Sequence, residues 1–293
     1  MKPAAAKLIG KRVALRYDVL ELLGSGGMGN VYRATDALLH REVALKVLTE
    51  QSEVIRHRFL FEARSLARLN HPGIVTIYDA GESAGVPYIV MELASGPTLK
   101  DAIAAGMTVG SAVRATIRLL DALHYAHKRD VLHRDVKPSN IVVRDDGSVK
   151  IMDFGLSRRI SDLSAGTQAG EIVGTIPYLP PERFLGKPSD ARSDLYSLGI
   201  ILYEALTGVL PFRSDRDDLV AAVFAHIDER AVEPSRLNSG VSPELERIVL
   251  KVIEKDPNAR YQTARELQAD LRAYLSAESS AGARRSEPRR SGS

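Results

Sequence analysis

His133-Arg134-Asp135-Val136-Lys137-Pro138-Ser139-Asn140 is followed, after Lys150, by Ile151-Met152-Asp153-Phe154-Gly155. A carboxylate that can accept a hydroxyl proton, together with two hard oxygen ligands for a divalent cation between phosphates, is the set that phosphoryl transfer requires. Asp135, Asn140 and Asp153 supply that set. Each of the three alone would be an ordinary loop residue capping a turn or pairing locally. Together, at this spacing, they do not reduce to turn chemistry.

Upstream, Gly24-Ser25-Gly26-Gly27-Met28-Gly29 carries a G-x-G-x-x-G spacing, with Val31 two residues further on. Glycines let a backbone pass close to phosphate oxygens and present its N–H groups. A dinucleotide-binding turn would need these glycines to open a helix, and here Val31-Tyr32-Arg33 continue as a strand. By itself the loop reads equally well as a plain hairpin turn. Val43-Ala44-Leu45-Lys46 follows, and strand alternation puts Lys46 on the same face as Ala44. A strand lysine on its own is usually just solvated. Glu62, in the next helix, is a candidate ion partner for Lys46, although a helical glutamate near Arg58 and Arg64 is more often a surface charge.

The surrounding text has two parts. From Tyr17 to about Leu93 short β-rich runs, Val43–Leu48 and Tyr88–Met91 among them, alternate with Gly, Asp and Pro. One helix, Glu53–Leu69, interrupts them with an apolar stripe of Phe59, Ala63, Leu66 and Leu69, and Asn70-His71-Pro72-Gly73 ends it. After Gly96-Pro97 the period becomes helical: Val113, Ile117, Leu120, Leu123 and His127, then Leu195, Leu198, Leu202 and Leu206. Further helices are expected over 215–227, 242–254 and 263–275, the last two opened by Ser242-Pro243 and by Thr263 with Glu266 in a capping-box pattern. The class is α+β, with a small antiparallel sheet lobe carrying one main helix and a larger, mainly helical lobe. The chemistry belongs at their junction, near Glu92–Pro97.

The 293 residues include no cysteine, which removes disulfides, thiolate metal sites and cysteine nucleophiles and fits a reducing compartment. The net charge of +3 is unevenly placed. Residues 1–16 hold five basic residues and no acid, 277–293 hold four arginines against two glutamates, and the stretch between is net acidic. The basic character therefore belongs to the ends and is poor evidence for a nucleic-acid-binding fold. No apolar run reaches the ~18 residues of a membrane span, and no signal-like apolar stretch follows the N-terminal lysines. The tail has no large apolar residue and reads as disordered. The chain reads as cytoplasmic, with residues 1–16 as a basic extension, 17–93 and 94–275 as the two lobes, and 276–293 as a basic tail.

These motifs resemble those of the eukaryotic-like (Hanks-type) serine/threonine protein kinases across residues 17–275, and Gly26-Gly27-Met28-Gly29-Asn30-Val31-Tyr32 looks like the bacterial branch. The resemblance implies the bilobal kinase fold, ATP with Mg²⁺ or Mn²⁺ as cofactors, and protein serine or threonine hydroxyls as acceptors. It casts Asp135 as catalytic base, Asn140 and Asp153 as metal ligands, and Lys137 at the γ-phosphate. Gly24, Ser25, Gly26, Gly27 and Gly29 would cover the phosphates, and Lys46, paired with Glu62, would contact them. Val31 and Ala44 would pack on adenine beside the gatekeeper Met91, with Glu92 to Ala94 as the hinge. Leu66, Ile77, His133 and Phe154 match the stack that aligns the lobes, Asp194 the anchor of the catalytic loop, and Arg260 the partner of Glu182. Arg134 before Asp135 implies an autophosphorylated loop, with Thr167 the first candidate and Ser157, Ser161 and Ser164 weaker ones. Lys137-Pro138 and Thr175 favour serine/threonine over tyrosine acceptors. The departures, Val136 where leucine is usual and Pro180-Pro181-Glu182 where Ala-Pro-Glu is usual, touch no phosphate or metal ligand. A nucleotide-binding pseudokinase would lack one of Lys46, Asp135 or Asn140, and none is missing. A small-molecule phosphotransferase would share part of this machinery, but the match continues to Arg260. The resemblance leaves monomer and homodimer, and isolated enzyme and portion of a longer receptor, equally open.

Overall fold

A computed structural model of the chain describes residues 8–26, 29–49, 52–154, 176–212 and 219–286. Strands β1 (Arg12–Val13), β2 (Tyr17–Ser25), β3 (Gly29–Asp36), β4 (Arg41–Leu48), β5 (Ile77–Ser83) and β6 (Val86–Glu92) form one antiparallel sheet in the order β1-β2-β3-β4-β6-β5. Alternation along β4 divides its side chains between the faces. Val43, Leu45 and Val47 join Tyr17, Val19, Tyr32, Ala34 and Val90 in one core, while Ala44, Leu48, Ile89 and Met91 pack on Ile55, Phe59 and Ala63 of helix α1 (Glu53–Leu66). Lys46 therefore leaves the sheet on the side of α1.

Within the expected basic extension of residues 1–16, Arg12–Val13 belong to this sheet as β1. Arg12 pairs with Asp18 and Val13 with Tyr17 across β1 and β2, and Val13 is buried. Arg16 forms a two-pronged ion pair with buried Asp36 at 2.7 and 2.8 Å, and the hydrogen bonds from Arg16 hold that carboxyl down at about 2. Counting charge along the chain missed these partners because they lie across the sheet.

The second lobe contains α2 (Leu99–Ala104), α3 (Val109–His127), a small hairpin of β7 (Ile141–Val143) and β8 (Val149–Ile151), α4 (Pro181–Phe184), α5 (Ala191–Thr207), α6 (Leu219–Asp228), α7 (Pro234–Leu237), α8 (Pro243–Val252) and α9 (Ala264–Ser286). Helix α5 is buried without a break from Ser193 to Tyr203, which makes it the axis of the lobe rather than a surface helix. Its Gly199 lets α8 approach, since a Cβ there would lie 2.5 Å from Val252 Cγ1. Helix α9 continues to Ser286, past the point where a disordered tail was expected. Extending an existing helix carries no nucleation cost, and Ala, Glu and Arg sustain it without an apolar face. The hydroxyls of Ser276, Ser279 and Ser280 also bond back to carbonyls of the preceding turn.

The lobes are joined by residues 93–97. The linker is fixed at its far end by Val143 N–H donating to Pro97 O at 3.0 Å, close to Gly96, whose φ of 131° suits glycine.

Candidate active site

Asp194, near the start of α5, organises the loop between α3 and β7. Its buried carboxylate accepts the backbone N–H groups of His133 and Arg134, each at 2.8 Å, and Nε2 of His127 at 2.8 Å. These bonds hold Arg134 at φ 65°, a left-handed conformation that is uncommon for a side-chain-bearing residue. His133 is fully buried, and burial lowers its pKa, which favours the neutral ring. Nε2 of His133 donates to Met152 O at 2.9 Å, Nδ1 accepts from Asp135 N–H at 3.2 Å, and the ring stacks on Phe154 with centroids 4.5 Å apart.

Beyond this pivot the loop turns through Pro138–Asn140 and brings its polar groups together. Asp135 Oδ2 lies 2.9 Å from Lys137 Nζ and accepts from Asn140 Nδ2 at 3.1 Å. The same Asn140 amide donates to Asp135 O at 3.0 Å, and Met152 N–H donates to Asn140 O at 2.8 Å. Asp153 follows Met152 at φ 53°, and its Oδ1 lies 2.6 Å from Lys46 Nζ. Burial pushes the Asp153 carboxyl up, but the charge and hydrogen bond of Lys46 outweigh it and the net shift is downward. Lys46, Asp153, Asn140, Asp135 and Lys137 thus lie along one connected path spanning both lobes.

Above this path, Val31, Ala44, Met91, Leu93, Ala94 and Met152 belong to one apolar cluster. In the glycine hairpin Gly24 pairs with Val31 and Ser25 with Asn30, and Gly26 N–H donates to Gly29 O at 2.9 Å. The glycines have different reasons to be there. A Cβ on Gly29 would collide with Val47 O, so the sheet itself excludes a side chain, whereas a Cβ on Gly24 would meet nothing within 4 Å. Leu66 and Ile77 line one small cavity with Met91 and Phe154. Gly27, Ser157, Ser161, Ser164, Thr167 and Thr175 lie outside the described residues, as does the side chain of Glu62. Lys46 takes its partner, Asp153, from the other lobe.

Glu182 and Arg260 form a buried two-pronged ion pair at 2.9 and 3.0 Å, reinforced by Ser193 Oγ donating to Glu182 at 2.6 Å. Burial alone would raise the Glu182 carboxyl, and the bonds from Arg260 and Ser193 bring it below its usual value. Two features were not foreseen from the sequence. His127, placed in the apolar stripe of α3, is a partner of Asp194, and Lys150, between Val149 and Ile151, is buried against Glu92. A lysine between two apolar β-formers was the available signal for the second.

The model of the protein kinase domain family matches residues 17–271. The chain belongs to this family. The kinase domain is 44% identical over 267 residues to the serine/threonine-protein kinase PknB of Mycobacterium leprae, covering 87% of this chain and 42% of that protein. Against the serine/threonine-protein kinase PrkC of Bacillus subtilis it is 40% identical over 277 residues, covering 92% of this chain and 42% of that protein. The chain therefore spans about two fifths of the length of these relatives. Among solved structures, the Mycobacterium tuberculosis PknI kinase domain superposes with a TM-score of 0.69 at 27% identity, covering 90% of this chain and 98% of that one. The bacterial resemblance and the bilobal α+β kinase fold both hold. Among the described residues, no helix is long and apolar enough to cross a membrane.

Proposed function

We propose that this kinase domain transfers the γ-phosphoryl group of ATP to serine or threonine hydroxyls of proteins, with Thr167 of its own loop as one acceptor. The observation that carries this reading is the connected path from Lys46 through Asp153 and Asn140 to Asp135 and Lys137, set beneath the apolar cluster of Val31, Ala44 and Met91. Asp135 accepts the proton of the acceptor hydroxyl and orients its oxygen. Lys137, within reach of Asp135, offers positive charge beside the group in transfer. Lys46 exchanges its Asp153 contact for the phosphates, and the open space at Gly24 admits them close to the backbone. Glu62, Glu92 and Ala94 complete the nucleotide side, the last two through the hinge backbone. Catalysis in such a site is mainly positioning and electrostatics.

The donor set suits Mg²⁺ or Mn²⁺. Among the described residues, no group of three or more His, Cys, Asp or Glu side chains forms a cage. Mg²⁺ characteristically takes one or two carboxylates and completes its shell with water and substrate phosphates, so Asp153 with the Asn140 carboxamide fits. The bound ion would neutralise charge between the phosphates. On this reading the domain works in the cytoplasm, where ATP is supplied.

Titration with a fluorescent ATP analogue tests the reading. Saturable binding should weaken by about tenfold or more when EDTA replaces Mg²⁺, and Asp153→Ala should lose that metal dependence. Binding indifferent to both changes would overturn the assignment.

A further inference from the structure

We propose that Lys150 is a positioning residue for the nucleotide: with Glu92 it pins the start of the interlobe linker to the strand that leads into Asp153. This rests on the kinase reading above. Lys150 sits in β8 and is 8% exposed. Its ammonium lies 2.6 Å from Glu92 Oε2 and donates to Ile74 O at 3.3 Å. Glu92 closes β6, and its carboxylate also accepts Thr76 N–H at 3.3 Å and Arg144 Nη2 at 3.4 Å.

Three segments meet at this carboxylate: the linker, the stretch after α1, and the β7–β8 hairpin. The stretch after α1 is bound to β8 again, by Val75 N–H to Ile151 O at 3.0 Å and Ile151 N–H to Gly73 O at 2.9 Å. Glu92 is two residues from Ala94, on the adenine side, and Lys150 is three residues from Asp153, on the metal side. The pin therefore ties the segment that leads to Ala94 to the strand that leads to Asp153. A buried ion pair is weak evidence for stability, because an apolar pair of similar size does as well. What it supplies is a directional contact that fixes which atoms meet. Arg144 is 38% exposed and its bond is long, so it does not replace Lys150.

The test is steady-state kinetics with varied ATP and varied peptide, plus direct nucleotide binding. Lys150→Met should raise the KM for ATP and the nucleotide Kd by about tenfold, with peptide KM and kcat within about threefold. Lys150→Arg, which keeps charge and reach, should recover most of the ATP affinity. Glu92→Gln should reproduce the defect, and the double variant Glu92→Gln/Lys150→Met should be no worse than either single one. If Lys150→Met does not fold, Lys150→Arg and Glu92→Gln carry the comparison. An ATP KM that is unchanged or lower, or one that moves in step with peptide KM and kcat as melting temperature falls, overturns the pin. Failure of the unaltered protein to bind nucleotide or transfer phosphate would instead overturn the kinase reading.

Discussion

Asp194→Asn is the substitution whose consequences the structure sets most fully. The side chain is 2% exposed and receives three hydrogen bonds at 2.8 Å, two of them from backbone N–H groups. Asparagine has the same shape but only one accepting oxygen. If that oxygen takes the Oδ2 position, Arg134 N–H faces an amide donor; if it takes the Oδ1 position, His133 N–H and His127 do. At least one bond to a charged acceptor is lost in either orientation, and the survivors lose their charge assistance. At about 1.5–3 kcal/mol per bond to a charged group, the loss is about 2–4 kcal/mol. For a domain of this size that lowers Tm by about 4–16 °C. The released backbone carries Arg134 at its left-handed φ and positions Asp135, so kcat should fall by about tenfold or more. The KM for ATP should stay within about twofold, because the hinge and Lys46 do not touch Asp194. Urea denaturation and steady-state kinetics on the same preparation measure both. A variant with unchanged stability and unchanged kcat would refute the anchoring role.

Arg260→Met leaves the Glu182 carboxylate buried with only Ser193, and should cost about 3–5 kcal/mol in urea denaturation; a loss below about 1 kcal/mol would mean the pair is solvated. His226, buried among Phe184, Tyr196 and Phe212, is driven by burial, with help from the Lys255 charge, down to about 3. Its folded pKa lies below the unfolded value of about 6.5, so its neutral form contributes fully above pH 6.5 and stability falls on acidification, by about 2 kcal/mol at pH 5. His226→Leu should flatten that part of the pH–stability curve, and parallel curves for variant and unaltered protein would contradict the assignment. Gly24→Ala should leave stability within about 0.5 kcal/mol while raising the KM for ATP, and Gly29→Ala should cost about 1–3 kcal/mol because of Val47 O. Equal stability losses for the two would contradict the separate roles of these glycines.

The parts of the molecule that were legible in the sequence are those whose logic is local. Alternation in Val43–Leu48 placed Ala44 and Lys46 on one face, and the register pairs them with Met91 and Ile89. The 3.6-residue repeat through Leu195, Leu198, Leu202 and Leu206 located α5, though not its burial on every side, which depends on α3 and α8 packing around it. Helix α1 stops at Leu66 rather than Leu69, because Leu69 N–H turns to Leu66 O at 2.9 Å to lead into the Asn70–Gly73 turn. Contacts between distant residues were harder to read. Lys46 and Asp153 are 107 residues apart, His127 and Asp194 67, and Lys150 and Glu92 58, so no window contains both partners. The N-terminal arginines were missed for another reason: Asp18 and Asp36 are close in sequence but meet them only through strand pairing, which a count of charge along the chain ignores. The last turns of α9 failed for a different one: composition reports the lack of a core-facing stripe but not that a helix is already under way.

The most direct measurement is transfer of label from γ-labelled ATP to a generic basic protein, comparing the unaltered chain with Asp135→Asn. The unaltered chain should yield phosphoserine and phosphothreonine without phosphotyrosine. The variant should transfer about 10²- to 10⁴-fold more slowly while binding nucleotide within about threefold as well. A variant that keeps the full rate, or an unaltered chain that binds ATP with Mg²⁺ and labels nothing, would contradict the assignment of Asp135, Asn140, Asp153 and Lys46 to one phosphoryl-transfer site.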